Sequence, residues 1–258
     1  MSDTHGKFVW YELMTTDMTA AEAFYRDVVG WGTQDAGMTD MKYIMFTADD
    51  RPVGGLMTIP EEAKKMSARP GWIGYIHVDD VDTTAAELVS AGGVVHRPAD
   101  DIPGVGRFSV VADSQGAIFA IFKSAMTEAP PPPVDPMSPG HVGWHELYAA
   151  DGAAAFSFYS KLFGWQKDEA MDMGEMGVYQ VFAHEGRQIG GMMTKPAQMP
   201  APAWTYYFVV PAIDAAVDRV KAGGGQVLNG PMEVPGGSWI IQGLDPQGAM
   251  FALVASKR

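Results

Sequence analysis

Glutamate, tyrosine and histidine residues occur at strand-like spacing in the first half of the chain. Glu12 lies in an alternating run near the amino terminus, and Tyr75 and His77 lie two residues apart in a later run. Side chains two residues apart point to the same face of a strand. A carboxylate, a phenol and an imidazole on one face could serve as acid–base groups or anchor a carbonyl or hydroxyl ligand. Glu12 and His77 are therefore the candidate catalytic residues.

The second half of the chain repeats this set without the histidine. Glu146 corresponds to Glu12 and Tyr207 to Tyr75, but Val209 stands at the position of His77. A buried carboxylate is costly unless it is paired or hydrogen-bonded, so each glutamate has either a structural partner or a role towards a ligand. Both interpretations stay open, as does a purely structural role for the histidine. The asymmetry predicts that the first half holds the more specialised site.

Tryptophan and methionine residues are predicted to share the inner, concave faces of the sheets with these polar groups. Wide apolar side chains suit the stacking of a flat or apolar ligand, although they could equally fill the core. The predicted ligand-binding residues are Trp10, Glu12, Met57, Tyr75, His77, Trp144, Glu146, Met193, Tyr207 and Trp239.

These residues lie in a sequence that is present twice. The run WYELMTTDMTAAEAFYRDVVGW, residues 10–31, returns as WHELYAADGAAAFSFYSKLFGW, residues 144–165. Such self-similarity indicates two copies of one structural unit. We predict domains at residues 1–127 and 141–258, joined by a proline-rich linker at 128–140, where proline favours an extended spacer.

Each copy divides again into two βαβββ modules. Alternating runs predict strands, and apolar residues at helical spacing predict helices that follow Asp17 and Asp151 and end at Gly30 and Gly164. The fold class is therefore α+β, with curved mixed sheets and helices outside. Modules are expected near 8–59, 70–123, 142–194 and 202–255. Residues predicted to pack beneath helices or in the core are Trp31, Trp72, His145, Trp165 and Trp204.

Composition excludes several classes of function. The net charge of −13 disfavours binding to nucleic acid or to an anionic membrane surface. The chain has no cysteine, which excludes disulfides, thiolate metal ligands and cysteine nucleophiles. No apolar run approaches the ~18 residues of a membrane helix, and no signal peptide is visible. We expect a cytoplasmic monomer or homodimer with a small-molecule ligand as its partner.

The order of these elements resembles the vicinal oxygen chelate superfamily, which includes glyoxalase I, bleomycin resistance proteins and extradiol dioxygenases. Two-domain bacterial glyoxalase-like proteins are the most similar group. The resemblance covers nearly the whole chain outside the linker. The residues that carry it are Asp17, Phe24, Tyr25, Gly30, Trp31, Asp113 and Gly116 in the first copy, and Asp151, Phe158, Tyr159, Gly164, Trp165, Asp245 and Gly248 in the second.

The resemblance implies a divalent-metal site built from His, Gln or Glu ligands on the inner faces. At the matching positions only Thr205 offers an oxygen atom, and it is a weak ligand. We therefore expect no metal and no other cofactor. The matching residues are Trp10, Met57, Ile73, Ala120, Trp144, Met193, Thr205 and Ala252.

Three classes of function remain. The leading prediction is a metal-free glyoxalase-like protein that binds a small apolar or aromatic molecule in a concave cup. The second is an enzyme of the same superfamily, a lyase, isomerase or dioxygenase-like protein, that uses Glu12 and His77 or a metal site of another kind. The third is a non-catalytic interaction protein whose cups are filled by its own side chains.

Overall fold

A computed structural model describes residues 2, 4–39, 41–126 and 134–258 of the chain. Residues 128–133 of the predicted linker lie outside this part, so the linker prediction stands on the sequence there. None of the described helices is long and apolar enough to cross a membrane.

The described residues form four successive βαβββ modules, as the sequence predicts. A short helix, α2 (Glu61–Lys65), follows the first module and was not predicted. Module 1 contains β1 (Phe8–Thr15), α1 (Met18–Val29), β2 (Gly32–Asp35), β3 (Ile44–Ala48) and β4 (Arg51–Thr58). Module 2 contains β5 (Gly71–His77), α3 (Val81–Ser90), β6 (Val94–Ile102), β7 (Gly106–Ala112) and β8 (Ile118–Ser124).

The second copy repeats the two modules. Module 3 contains β9 (Val142–Ala149), α4 (Gly152–Phe163), β10 (Gln166–Asp172), β11 (Val178–His184) and β12 (Arg187–Thr194). Module 4 contains β13 (Ala203–Val209), α5 (Ile213–Ala222), β14 (Gln226–Glu233), β15 (Trp239–Leu244) and β16 (Met250–Ala255).

The strands form two eight-stranded mixed sheets. Their orders are β2-β3-β4-β1-β5-β8-β7-β6 and β10-β11-β12-β9-β13-β16-β15-β14. The pairs β1–β4 and β5–β8 are parallel, and the outer pairs of each module are antiparallel. The predicted α+β class is confirmed.

Packing divides the chain into two compact units that do not coincide with its two copies. Unit 1 comprises Met1–Val9, Gly74–Pro133 and His145–Trp204. Unit 2 comprises Trp10–Ile73, Val134–Trp144 and Thr205–Arg258. Each unit therefore contains a module of the first copy and a module of the second.

The first helix of each copy begins and ends at the predicted residues. Asp17 accepts a hydrogen bond from the Ala20 amide at 3.0 Å, and Asp151 accepts one from Ala154 at 3.0 Å. These carboxylates satisfy amides that the helix itself leaves unpaired. Gly30 closes α1 in the left-handed region at φ 90°, where a residue without a Cβ is favoured.

A buried aspartate organises the core of unit 2. The Tyr25 hydroxyl donates to Asp245 Oδ2 at 3.2 Å, and Trp72 Nε1 donates to the Tyr25 oxygen at 2.9 Å. Asp245 Oδ1 accepts the amides of Gln247 and Ala249 at 2.9 and 2.8 Å. Burial raises the pKa of Asp245 and raises that of Tyr25 well above its usual value. One carboxylate thus ties a turn of the second copy to the helix of the first.

Unit 1 contains the equivalent arrangement. Tyr159 donates to Asp113 Oδ2 at 3.0 Å, and Trp204 Nε1 donates to the Tyr159 oxygen at 2.9 Å. Asp113 Oδ1 accepts the amides of Gln115 and Ala117. The predicted packing of Trp72 and Trp204 beneath helices is therefore confirmed. Trp31 and Trp165 are also buried, at 4 and 2% exposure.

We predict that removing the tyrosine hydroxyl destabilises either unit. Tyr25→Phe leaves the Asp245 carboxylate and the Trp72 indole without this partner, and Tyr159→Phe does the same to Asp113 and Trp204. Unpaired buried polar groups cost about 1–3 kcal/mol each, so each variant, which leaves two such groups, should lose about 2–6 kcal/mol of unfolding free energy. Urea denaturation measures this loss. A loss below about 0.5 kcal/mol, typical of surface substitutions, would contradict the assignment.

His145 packs on the helix-covered face of β9, as predicted. Its ring stacks on Phe8 with centroids 4.0 Å apart, and its Nδ1 donates to the Ile189 carbonyl at 2.6 Å. Burial lowers its pKa from the usual 6.5 to about 4. The imidazole is therefore neutral in the native state at pH 7.

The lowered pKa of His145 predicts that the protein loses stability at acid pH. Above pH 6.5 His145 is neutral in both states, but between pH 6.5 and 4 only the unfolded state gains the proton, so stability falls with pH. At pH 5 the loss from this group is about 2 kcal/mol. His145→Gln, which keeps a donor but cannot be protonated, should lose correspondingly less stability between pH 7 and 5.

Urea denaturation at the two pH values measures the difference, with His96→Gln at an exposed position as the control. Equal losses in the parent and in His145→Gln would show that His145 does not cause the acid sensitivity.

Candidate functional site

The inner face, the face of a sheet opposite to the helices, carries polar groups in module 1 of unit 2. Leu13 and Thr15 are fully buried on the helix-covered side of β1. Trp10, Glu12 and Met14 alternate with them and therefore share the inner face. Trp10 and Met14 are half-buried, whereas Glu12 is only 8% exposed.

A hydrogen-bond chain holds the Glu12 carboxylate in place. The Tyr43 hydroxyl donates to Glu12 Oε2 at 2.9 Å and accepts a hydrogen bond from Trp10 Nε1 at 3.0 Å. Burial, followed by the negative charge of Glu12, raises the pKa of Tyr43 far above its usual value. The phenol therefore keeps its proton and stabilises the buried carboxylate as a donor.

A glycine provides the space for this chain. Gly55 pairs with Glu12 in the parallel register of β1 and β4, and a Cβ at Gly55 would overlap the Tyr43 ring. The Tyr43 ring thus packs over the Gly55 backbone, and this position lets its hydroxyl contact the Glu12 carboxylate. The GGLM and GGMM motifs of the sequence contain this glycine and its counterpart Gly191.

Methionines surround the carboxylate on the same face. Met14 pairs with Met57 in the parallel register, and Met45 pairs with Gly55 across β3 and β4. All three side chains are half-buried. Flexible, polarisable thioethers adapt to the shape of an apolar partner.

Module 3 of unit 1 repeats this geometry. Glu146 is 7% exposed and pairs with Gly191, and Met193 pairs with Tyr148. A Cβ at Gly191 would overlap the Tyr179 ring, as at Gly55. Tyr179 therefore corresponds to Tyr43. The sequence prediction missed both tyrosines, although their equivalent positions in the two copies were a usable signal.

Aromatic rings surround Tyr75 on the inner face of module 2 in unit 1. Its ring lies 6.2 Å from that of Phe108 and 6.4 Å from that of Phe122. The Arg97 guanidinium lies 4.6 Å from the Phe108 ring centroid, a cation–π contact. Tyr75 itself is 7% exposed.

His77 lies at the end of β5, beside the amino-terminal segment. Its amide donates to the Lys7 carbonyl, and its carbonyl accepts the Gly6 amide, both at 2.8 Å. The ring hydrogen-bonds the backbone of Thr4, and burial lowers its pKa. Its Nδ1 is buried and has no hydrogen-bond partner among the described residues.

The candidates of module 4 lie in unit 2. Tyr207 accepts a hydrogen bond from Gln242 Nε2 at 2.7 Å, and Trp144 packs against a buried cluster that contains Tyr207. Trp239 does not lie on the inner face, where the sequence analysis placed it. It pairs with Ala255, while its neighbour Ile240 packs on the Tyr207 cluster, so Trp239 lies on the helix side with Arg258 5.0 Å from its ring centroid.

The structure thus brings Glu12 together with Trp10 and Tyr43 in unit 2. Tyr75 and His77 belong to unit 1, each with its own neighbours. The convergence of Glu12, Tyr75 and His77 on one ligand stays a prediction. So do the ligand-binding roles of the other candidates.

The residues at the family's metal-ligand positions do not fit a divalent metal. Seven of the eight side chains offer no oxygen or imidazole donor, and Thr205 alone has a hydroxyl. Divalent metals in proteins require several such donors around one point. Within residues 2, 4–39, 41–126 and 134–258, no group of three or more His, Asp or Glu residues is placed to hold a metal.

Comparison with known proteins agrees with the fold. Residues 7–121 and 138–253 match the model of the Glyoxalase/Bleomycin resistance protein/Dioxygenase superfamily. "Putative glyoxylase CFP32" of Mycobacterium bovis is 32% identical, covering 95% of this chain and 93% of the relative. "Anthracycline biosynthesis protein DnrV" of Streptomyces peucetius is 29% identical, covering 96% of this chain and 93% of the relative.

Solved structures share the architecture at low sequence identity. The 2,3-dioxygenase LapB of Pseudomonas sp. KL28 superposes with a TM-score of 0.66 at 15% identity, covering 100% of this chain and 94% of that one. The Mn(II)-bound glyoxalase of Novosphingobium aromaticivorans has a TM-score of 0.65 at 18% identity, with coverage of 99 and 83%. The family match across both copies shows that the chain belongs to the Glyoxalase/Bleomycin resistance protein/Dioxygenase superfamily.

Proposed function

We propose that the protein binds a flat aromatic molecule that carries a hydroxyl group, on the inner face of module 1. The observation that carries this proposal is the buried Glu12 carboxylate, which Tyr43 holds on a face otherwise lined by tryptophan and methionine. A carboxylate only accepts hydrogen bonds, so it selects a ligand group that donates one. The Trp10 ring and the methionines favour a planar, apolar body.

The relatives support a ligand of this kind. Two of them, from Streptomyces peucetius and Streptomyces sp. strain C5, are named for anthracycline biosynthesis. Anthracyclines are flat, fused-ring compounds that carry hydroxyl and carbonyl groups. A hydroxylated aromatic ring system therefore suits both the chemistry of the face and the names of these relatives.

Binding of this kind requires no metal. The hydrogen-bond chain from Trp10 through Tyr43 fixes the carboxylate before a ligand arrives, so less conformational freedom is lost on binding. At the family's metal positions in module 1, Trp10 and Met57 offer a ligand a ring face and a thioether, and neither supplies an oxygen or imidazole donor to a metal.

Acid–base catalysis is a second candidate function, favoured by one observation at His77. Its neutral ring has a buried Nδ1 without a described partner, and such a nitrogen can accept a proton. Conversion of methylglyoxal with glutathione in the presence of EDTA would test it. Turnover that is lost in His77→Val would support catalysis, and no turnover would favour the binding protein.

We predict that Glu12→Gln weakens binding of 2-hydroxyanthraquinone. The change removes charge but keeps shape, and a lost charge-assisted hydrogen bond costs about 1.5–3 kcal/mol, or roughly 10- to 150-fold in Kd. Calorimetric titration measures this change. The matched ligand 2-methoxyanthraquinone, which cannot donate, should bind the parent weakly and be insensitive to the substitution.

The control is Glu61→Gln, at an exposed position of α2, which should bind as the parent does. Absence of binding to the parent would contradict the proposed ligand class. Unchanged binding by a Glu12→Gln protein with a lower melting temperature would show that Glu12 is structural.

We further predict that Gly55→Ala displaces Tyr43. The added methyl group occupies the space of the Tyr43 ring, which breaks the hydrogen bond to Glu12, and overpacking of this kind costs about 1–3 kcal/mol. Gly191→Ala makes the same clash with Tyr179 and is the matched control. Both should melt at lower temperature, but only Gly55→Ala should lose affinity for 2-hydroxyanthraquinone. Equal affinities would contradict a role for Tyr43.

A further inference from the structure

A row of polar side chains crosses module 4 on its inner face. The strand registers place Tyr207 beside Ala252, Ala252 beside Gln242, and Gln242 beside Asn229. Ala252 has only a methyl group, so Gln242 extends across it and Nε2 donates to the Tyr207 hydroxyl at 2.7 Å. Asn229 Nδ2 donates to Gln242 Oε1 at 3.3 Å. The row is polar and carries no charge.

The first copy has different chemistry in the equivalent row of module 2. There Tyr75 pairs with Ala120, Ala120 with Val110, and Val110 with Arg97. Valine and arginine thus stand where module 4 has glutamine and asparagine. Since Val110 shows that this position of the scaffold accepts an apolar side chain, the fold itself does not require a buried amide at Gln242.

Thr205 adds an unsatisfied donor to the same face. It lies two residues before Tyr207 on β13, so both side chains point to the inner face. Thr205 is 3% exposed, and its buried Oγ1 has no hydrogen-bond partner among the described residues. Buried hydroxyl groups almost always have a partner, so this one requires an explanation. The first copy has Ile73 at the equivalent position.

Apolar side chains border these polar groups. Tyr207, Val209, Ala252 and Val254 form a buried cluster, and Trp144 and Ile240 pack against it half-buried. None of these residues is charged. An ionic group placed here would lose its hydration without a counter-charge from them, so the surface favours a neutral ligand.

We propose that this face of module 4 is a second small-molecule site, which takes a neutral aromatic ligand bearing a carbonyl or carboxamide group. The Thr205 hydroxyl donates to the ligand carbonyl oxygen. The Tyr207–Gln242–Asn229 row forms the polar edge that orients it, and Trp144 and Ile240 contact its apolar body. This site differs from the module 1 face in having amides where that face has a carboxylate, and it does not depend on the function proposed there.

The test uses benzamide as the neutral probe and benzoate as its charged match. Protein-observed NMR titration of the full chain should show that benzamide binds. The Kd of benzoate should be at least tenfold higher than that of benzamide. Thr205→Val keeps the volume of the side chain but removes the hydroxyl, and it should weaken benzamide binding fivefold or more. Thr58→Val, at an exposed threonine of β4, is the control and should bind as the parent does.

Thermal unfolding separates a ligand role from a structural one. Because the Thr205 hydroxyl has no partner in the described structure, Thr205→Val without probe should melt at or above the temperature of the parent. A decrease of about 2 °C or more would show that the hydroxyl is satisfied structurally, for example by a bound water, and would overturn the proposal. So would failure of the parent to bind benzamide, or equal affinities of the parent and Thr205→Val.

Discussion

The tyrosine–aspartate hydrogen bond in each unit is the interaction on which the rest of the fold depends. In unit 2 Asp245 holds the Tyr25 hydroxyl with one oxygen and two amides of its own turn with the other. A turn of module 4 and a helix of module 1 are thereby fixed by a single buried group. Asp113 and Tyr159 do the same in unit 1. A domain cut from one copy would lack one partner of each bond, so these two bonds join the first copy to the second.

This interaction also determines which side chains are available to a ligand. Tyr25 fixes α1 against one face of module 1, where its ring packs at 5.1 Å from Trp72 and 6.0 Å from Phe46. Strand alternation then assigns Trp10 and Glu12 to the opposite face. A buried carboxylate is tolerated there because Tyr43 donates to it and Gly55 leaves room for the tyrosine ring.

Local patterns predicted the modules, the helix caps and the faces of β1, β5 and β9, because alternation and capping depend on neighbouring residues. The role of Tyr43 could not be derived in this way, since its hydroxyl meets a carboxylate 31 positions away. Trp239 was assigned to the wrong side of the sheet. It lies three residues before Gln242 on β15, which runs in unbroken register with β16, so alternation places the two side chains on opposite faces. The sequence also contained both aspartates and both tyrosines of the core, but only packing shows that each pair joins different copies.

The inner faces of the two copies differ at several positions of modules 2 and 4. Modules 1 and 3 share a carboxylate, a tyrosine and a glycine beneath the tyrosine ring. These residues are Glu12, Tyr43 and Gly55 in module 1, and Glu146, Tyr179 and Gly191 in module 3. The other two modules exchange residues at corresponding positions: His77 for Val209, Ile73 for Thr205, Val110 for Gln242 and Arg97 for Asn229. Substitutions on an inner face alter ligand contacts without disturbing the helix-covered core. On the two proposals made above, the shared carboxylate anchors a donor group in the first copy, and the neutral amide row gives the second copy its own selectivity. Duplication followed by change on one face of two modules is sufficient to produce two sites of different polarity on one scaffold.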